Sequence, residues 1–328
     1  MKNGRLWVWM PVLLLISAAA GLYFGSAELS AADFFAALTF RGTVTHELIL
    51  YGLRLPRVLA GILAGVGLST AGVLLQSVTA NELASPNIIG INSGAGLAVI
   101  LTLTLAPKAG QILPLAAFAG AFATALCILA VANRLSGSRT AILLIGIALT
   151  TLLNAAISFL SLLDEGVLAQ YNHFTVGSLK GVRMSELVLP AVIILLSFSG
   201  ALLLSGRLGV LCLGDSAAAA LGIRVRRLRI LALAFAAAGA AAVVSYAGLL
   251  GFVGLVVPHI ARRLVGDRPG RLLPAAALLG GILVVLADLL GRTLFAPSEL
   301  PVGILMSLVG APYFLVLLCR RRKYADLS

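Results

Sequence analysis

The sequence predicts an all-α, polytopic membrane protein with about ten transmembrane helices. Two observations carry this expectation. The chain of 328 residues is 60% hydrophobic and only 11% charged, with a mean hydropathy of +1.08, whereas a soluble domain is roughly half apolar and a quarter charged. Its apolar residues also fall in long unbroken runs, without the period-two alternation of a barrel strand. In lipid the backbone must satisfy its own hydrogen bonds, which leaves helix or closed barrel. Runs of about 18 residues or more choose helix.

Ten spans are expected: 7–25, 56–78, 88–106, 112–132, 141–163, 187–205, 230–249, a short 252–264, 272–294 and 301–319. With the N-terminus in the cytoplasm, only seven of the 24 basic residues fall outside: Arg41, Arg54, Arg57, Lys108, Lys180, Arg183 and Arg292. The bias is strongly positive-inside and places both termini in the cytoplasm. It also supports the short run as a crossing, since without it the basic cluster between Arg262 and Arg271 would face outward. The first run has a rival reading as a cleaved leader, because Lys2 and Arg5 precede it and Ala18-Ala19-Ala20 resembles a processing site. A retained span is expected, because the run reaches Gly25 and an even number of spans suits the basic C-terminal tail. No stretch has the character of a soluble domain, so residues 1–328 are expected to form one transmembrane domain.

The net charge of +12 does not indicate nucleic acid, because the basic residues sit in short connections and form no aromatic-interleaved patch. Cys127, Cys212 and Cys319 form no CxxC pair, and His46, His173 and His259 lie far apart, so no metal or disulfide framework is indicated. There is no GxxxxGK[ST] phosphate loop, so any ATP-driven process needs an ATPase on another chain.

Several polar residues stand out against the apolar background. Asp288 lies deep in the ninth run, where an ionised carboxylate costs on the order of 2.5–3.5 kcal/mol unless it faces protein or water. It is either a proton site, as in a secondary transporter, or the partner of Arg292 one helical turn away. Gln76 and Asn154 are milder cases that line a path or join two helices. Arg54 and Arg57, in LRLPR, and Arg292 oppose the topological bias and therefore need a reason beyond it. Asp215 starts a short helix-forming run, Asp215 to Leu221, that Gly222 is suited to end. An intramembrane enzyme is disfavoured, because no second carboxylate or histidine cluster accompanies Asp288 for paired acid–base work. The Ala/Gly-rich segments LAGVGLSTAGVLLQ and LAFAAAGAAAVVSYAG begin two sets of spans from opposite sides, which fits an inverted repeat.

Four segments carry a more specific resemblance: NELASPNIIGINSGAG, GFVGLVVPHIARRLVG, GRLLPAAALLGGILVVLADLLGRT and ELPVGILMSLVGAPYFLVLL. From Leu53 onward the chain resembles the permease subunits of binding-protein-dependent importers for iron–siderophores, haem and cobalamin. The resemblance implies a single ten-span permease domain of inverted-repeat fold in the cytoplasmic membrane. Its partners would be a second permease copy or paralogue, two cytoplasmic ATPase subunits, an extracytoplasmic substrate-binding protein and membrane lipid. The chain itself would bind no cofactor and catalyse nothing; ATP and Mg would be used by the partner ATPase. The segment 211–229 would be the coupling loop, with Gly214, Asp215, Ala220, Leu221 and Gly222 docking on the ATPase. Arg54, Arg57 and Arg292 would receive acidic groups of the binding protein. Gln76, Asn81, Asn154 and Asp288 would serve the translocation path or helix packing, and Ser136 and Ser138, in RLSGSRT, the cytoplasmic gate. The sequence departs from the family pattern at Glu82, which replaces a proline, and at Phe174 and Arg183, which stand near expected tryptophans. The cargo is not identified, since the binding protein holds it.

Overall fold

The computed structural model describes residues 3–27, 29–87, 90–134 and 139–325. Among these residues there are fourteen α-helices and no strand. They are α1 (Asn3–Tyr23), α2 (Ala31–Leu38), α3 (Val44–Glu47), α4 (Leu55–Thr79), α5 (Ile91–Leu105), α6 (Leu113–Arg134) and α7 (Arg139–Ser161), followed by α8 (Glu165–Val176), α9 (Met184–Leu211), α10 (Asp215–Ala220), α11 (Val225–Ala247), α12 (Val253–Val265), α13 (Pro269–Thr293) and α14 (Val302–Ala325).

Every expected span coincides with one of these helices. Among the described residues, seven helices are long and apolar enough to cross a membrane on their own, those containing α1, α4, α6, α7, α9, α11 and α13. Ile91–Leu105 and Val302–Val316 are apolar but shorter. Helix α12 has 13 residues, about 20 Å at 1.5 Å per residue, against a hydrocarbon core of roughly 30 Å. It therefore depends on its neighbours to complete a crossing.

Helix α4 is the hub. Its membrane segment is 78% buried, whereas those of α1 and α7 are 17% buried. The cause is residue size. A Cβ on Gly65 would lie 2.1 Å from the Gly280 carbonyl carbon, and one on Gly72 would lie 1.9 Å from the Gly254 oxygen. Only glycine lets α4 meet the backbones of α13 and α12 this closely, and in lipid such close packing replaces the hydrophobic drive between helices. The Ala-rich α11 closes another side, with Gly67 against Val243 and Gly239. Peripheral α7 leaves Leu144, Ile147, Leu152 and Phe159 exposed.

The entry to α4 is irregular. Residues Leu48–Arg54 form a π-helical turn, and the Leu55 N–H reaches back to the Leu50 carbonyl. Pro56 follows in the first turn of α4. Proline has no N–H to donate to the Gly52 carbonyl, so a widened turn fits here at little extra cost. The turn continues into α4, carries the buried Arg54 at its end and is followed shortly afterwards by Arg57.

Candidate functional site

Polar residues gather at the two ends of α4, roughly 28 Å apart by helical rise between Arg57 and Gln76. At the end bearing α2, α3 and the 294–301 connection, Arg57 binds two carboxylates. Its Nε donates to both Asp288 oxygens at 3.0 and 2.9 Å, one Nη donates to Asp288 at 2.9 Å, and the other donates to Glu299 at 2.9 Å. Ser26 donates to the second Glu299 oxygen at 2.8 Å. Arg292 lies 3.6 Å from Asp288, one turn away on α13, and donates to the Gly21 carbonyl. Arg54 donates to the carbonyls of Leu22, Tyr23 and Ala27.

The three arginines expected to meet a binding protein lie largely beneath the surface. Arg54 and Arg292 are 4% and 3% exposed, and the Arg57 side chain is 11% exposed. The last carbonyls of a helix have no partner within it. Arg54 and Arg292 supply donors to the end of α1 and its exit, where positive charge also opposes the negative pole of the helix. The turn-spaced Asp288–Arg292 pair exists, but Arg57 holds the carboxylate more closely. Glu299 escaped the sequence reading, although it is an acidic residue in a connection facing three arginines. Burial alone would raise its pKa; hydrogen bonds from Arg57 and Ser26, with the charges of Arg57 and Lys180, outweigh this and hold it below the usual carboxylate value.

Beside this cluster, the segment after α8 ties three helices together. The Gly177 carbonyl accepts from the Gly303 N–H at 3.1 Å, and the Ser178 N–H donates to Ala247 at 2.9 Å. Gly177 has φ +69°, and a Cβ there would lie 2.5 Å from the Leu249 oxygen. Phe174, near the place of an expected tryptophan, receives the Leu249 N–H on its carbonyl at 3.2 Å.

At the opposite end, α10 stands out from the bundle. Gly214 (φ +113°) and Gly222 (φ +79°) bracket it in backbone conformations that L side chains rarely adopt. Asp215 in its first turn accepts from Arg229 at 2.8 and 2.7 Å, which fastens α10 to the start of α11. Ala218 is the buried contact, while Ala220 and Leu221 are exposed. The five expected coupling residues thus form one small, outward-facing platform.

A second polar group lies near the far end of α4. Gln76 accepts from Arg262 at 3.2 Å, and Arg262 also meets Asp267 at 2.6 Å. Glu82 lies 3.9 Å from His259 and 4.0 Å from Arg262. The acid that replaces a family proline therefore faces His259 and Arg262 of α12. Asn81 accepts from the Leu83 N–H at 2.9 Å and shapes this turn. Asn154 is not part of the group; it is exposed on α7. Ser136 and Ser138 lie outside the described residues.

Comparison with known proteins decides the family. The family model described as the FecCD transport family matches residues 13–320. The chain belongs to the FecCD transport family. It is 41% identical over 275 residues to the Fe(3+)-citrate import system permease protein YfmE of Bacillus subtilis (strain 168), covering 84% of this chain and 83% of the relative. It is 38% identical over 333 residues to the hemin transport system permease protein HmuU of Yersinia pestis, covering 98% of each. A solved structure described as an inward-facing conformation of a metal-chelate type ABC transporter superposes with a TM-score of 0.87 at 30% identity, covering 97% of this chain and 99% of that one.

The fold expectation is met: this FecCD chain is an all-helical, polytopic permease. The proton-coupled secondary transporter is not supported. The relatives are import-system permeases, and Asp288 is held by one guanidinium with a second nearby.

Proposed function

We propose that this chain is the permease subunit of an ATP-binding-cassette importer that carries an iron–siderophore, or a related chelate such as haem or cobalamin, across the cytoplasmic membrane. The observation that carries this reading is α10. In a chain with a FecCD match over 13–320, a short helix bracketed by two positive-φ glycines stands on the surface with Ala220 and Leu221 exposed. That shape suits a cytoplasmic ATPase, which would bind ATP and Mg and hydrolyse ATP while this chain catalyses nothing. Two such ATPases would serve a pair of permeases. The poorly buried α7, with Asn154 on its surface, is the face offered to a second copy or paralogue and to the substrate between them.

The chain acts as one unit over residues 1–328 with both termini in the cytoplasm, the orientation favoured by its basic residues. The opposite end receives an extracytoplasmic binding protein. There, Arg54, Arg57 and Arg292 act from beneath the surface by holding α1, Asp288 and the Glu299 connection in place. Gln76 joins α4 to α12 near the cytoplasmic exit, Asn81 shapes the turn that follows α4, and Ser136 and Ser138 are assigned to the gate. Switching is a rigid-body change of helix packing driven through α10.

The test is ATP hydrolysis in liposomes containing this chain, its ATPase and its binding protein, with and without a ferric siderophore. Stimulation that depends on this chain and disappears in Gly222→Trp, with the complex still assembled, is the expected result. An ATPase that never associates with the chain would sink the reading.

A further inference from the structure

A cavity of about 410 Å³ opens at the α10 end of the bundle, lined by Ser205, Gly206, Gly209 and Val210 of α9, Leu213 beyond it, and Arg268 to Arg271 at the start of α13. Nothing lies within 4 Å of a Cβ on Gly206, and the nearest atom to one on Gly209 is a proline carbon 3.7 Å away. Two guanidiniums border this open floor. Among the described residues, no acidic side chain lines the cavity, and the neighbouring Asp267 is engaged by Arg262. Among those same residues, no ion pair or side-chain hydrogen bond occupies Arg268 or Arg271.

An apolar track leads away from the cavity. Leu196, Leu203 and Val210 recur every seven residues on one face of α9, and Leu196 and Leu203 are 63% and 85% exposed. From Gly206 to Leu196 the helix rises about 15 Å, the depth of one leaflet of a hydrocarbon core roughly 30 Å thick. Cationic groups over a small cavity, continued by an exposed leucine track one leaflet deep, match a molecule with an anionic phosphate head and acyl tails. Basic pockets between membrane helices attract such heads. A soluble phosphate would use the arginines and leave the track unexplained.

We infer that this cavity binds the phosphate headgroup of an anionic phospholipid, with its acyl chains along the Leu203 face of α9. The site needs no ATPase and no transport cycle, and only its assignment to the inner leaflet rests on the orientation proposed above. It places a lipid directly beside Leu213 and α10, so bilayer composition acts on the segment proposed to contact the ATPase.

The experiment is native mass spectrometry of the purified full chain in detergent, titrated with phosphatidylglycerol or with phosphatidylcholine of the same acyl chains. Wild type should retain phosphatidylglycerol preferentially. Arg268→Gln with Arg271→Gln should weaken it by about 25-fold, taking roughly 5-fold per arginine. Gly206→Leu, which keeps both charges and fills the cavity, should weaken it comparably. Arg41→Gln with Lys108→Gln, two exposed charges at the other end of the bundle, should leave it within about twofold, since that end lies more than a Debye length away. Equal retention by wild type and the Arg268/Arg271 variant would overturn the proposal. Glycerol phosphate binding as tightly as phosphatidylglycerol would also overturn it, and would mark a site for soluble anions. Unchanged lipid retention with loss of ATPase co-purification would overturn it in favour of a protein contact. Failure of transport in the liposome assay leaves the lipid result untouched, so the two readings fail separately.

Discussion

Replacing Asp288 with asparagine tests the central claim about the arginine cluster, that the carboxylate is structural. Asp288 is 3% exposed and accepts three hydrogen bonds from Arg57 at 2.9–3.0 Å. Charges about 4 Å apart at an effective dielectric near 20 interact by about 4 kcal/mol. Removing one partner of a buried pair commonly costs about 3–5 kcal/mol, because the remaining charge is stranded. Here the neutral amide would leave three arginines facing Glu299 alone. We therefore expect Asp288→Asn to lose about 3–5 kcal/mol in reversible unfolding in mixed micelles. Arg57→Gln should also destabilise, and the double variant should recover about 2–3 kcal/mol relative to the sum of the single losses, within the range of contacting pairs. Liposomes containing the double variant should retain transport that is insensitive to collapse of the proton gradient. Two results would refute the reasoning: additive single losses, or a folded double variant with no transport whose activity returns only when a carboxylate is restored at position 288.

Three further outcomes follow from other sites. Gly72→Val places a side chain where a Cβ would already lie 1.9 Å from the Gly254 oxygen; overpacking of about 1–3 kcal/mol or more is expected, read as a lowered Tm in detergent, while Gly206→Ala, in a helix with open space around it, does not lower Tm and raises it slightly. Arg229→Met removes the bidentate hold on Asp215, so hydrogen exchange of residues 214–222 should quicken while α11 beyond its first turn stays protected. The Glu299 carboxylate has a folded pKa lowered from 4.5; its contribution is complete above that ordinary value and lost as pH falls through the lowered one. Hydrogen exchange of residues 294–301 should therefore quicken only in acid, and Arg57→Gln should move the onset upward; an onset that does not move would exclude Arg57 as the cause.

The spans were legible because lipid imposes a simple rule: a long apolar run must satisfy its own backbone. The inside–outside distribution of arginine gave the topology expectation by an equally simple electrostatic rule. The small residues of α4 were visible as one half of an inverted repeat, but not that Gly65 would meet Gly280 or that Gly72 would meet Gly254. The arginine cluster was legible as an anomaly, but not as a set of buried pairs. Arg57 is 231 residues from Asp288 and 242 from Glu299 in sequence, and no periodicity links positions so distant. Glu299 sits in a connection with no repeating pattern to mark it. Glu82 was visible as a departure from the family pattern; its position opposite His259 and Arg262 depends on how α12 folds back against α4. The π turn before Pro56 was hidden because the proline signals an interrupted hydrogen bond without saying how the chain absorbs it.

The staple at the end of α1 also bears on time. Gly21 accepts its hydrogen bond from Arg292, 271 residues further along the chain. At a synthesis rate of about 5–20 residues per second, these two groups emerge roughly 14–54 seconds apart. Over that interval the first helix stands in the bilayer with its final carbonyls lacking this donor, and Arg57 waits nearly as long for Asp288. The Arg57 end of the bundle is thus closed last, by helices made last, and a nascent chain stopped before α13 would join its first and second spans through Arg54 but without the donor and the carboxylate that α13 brings.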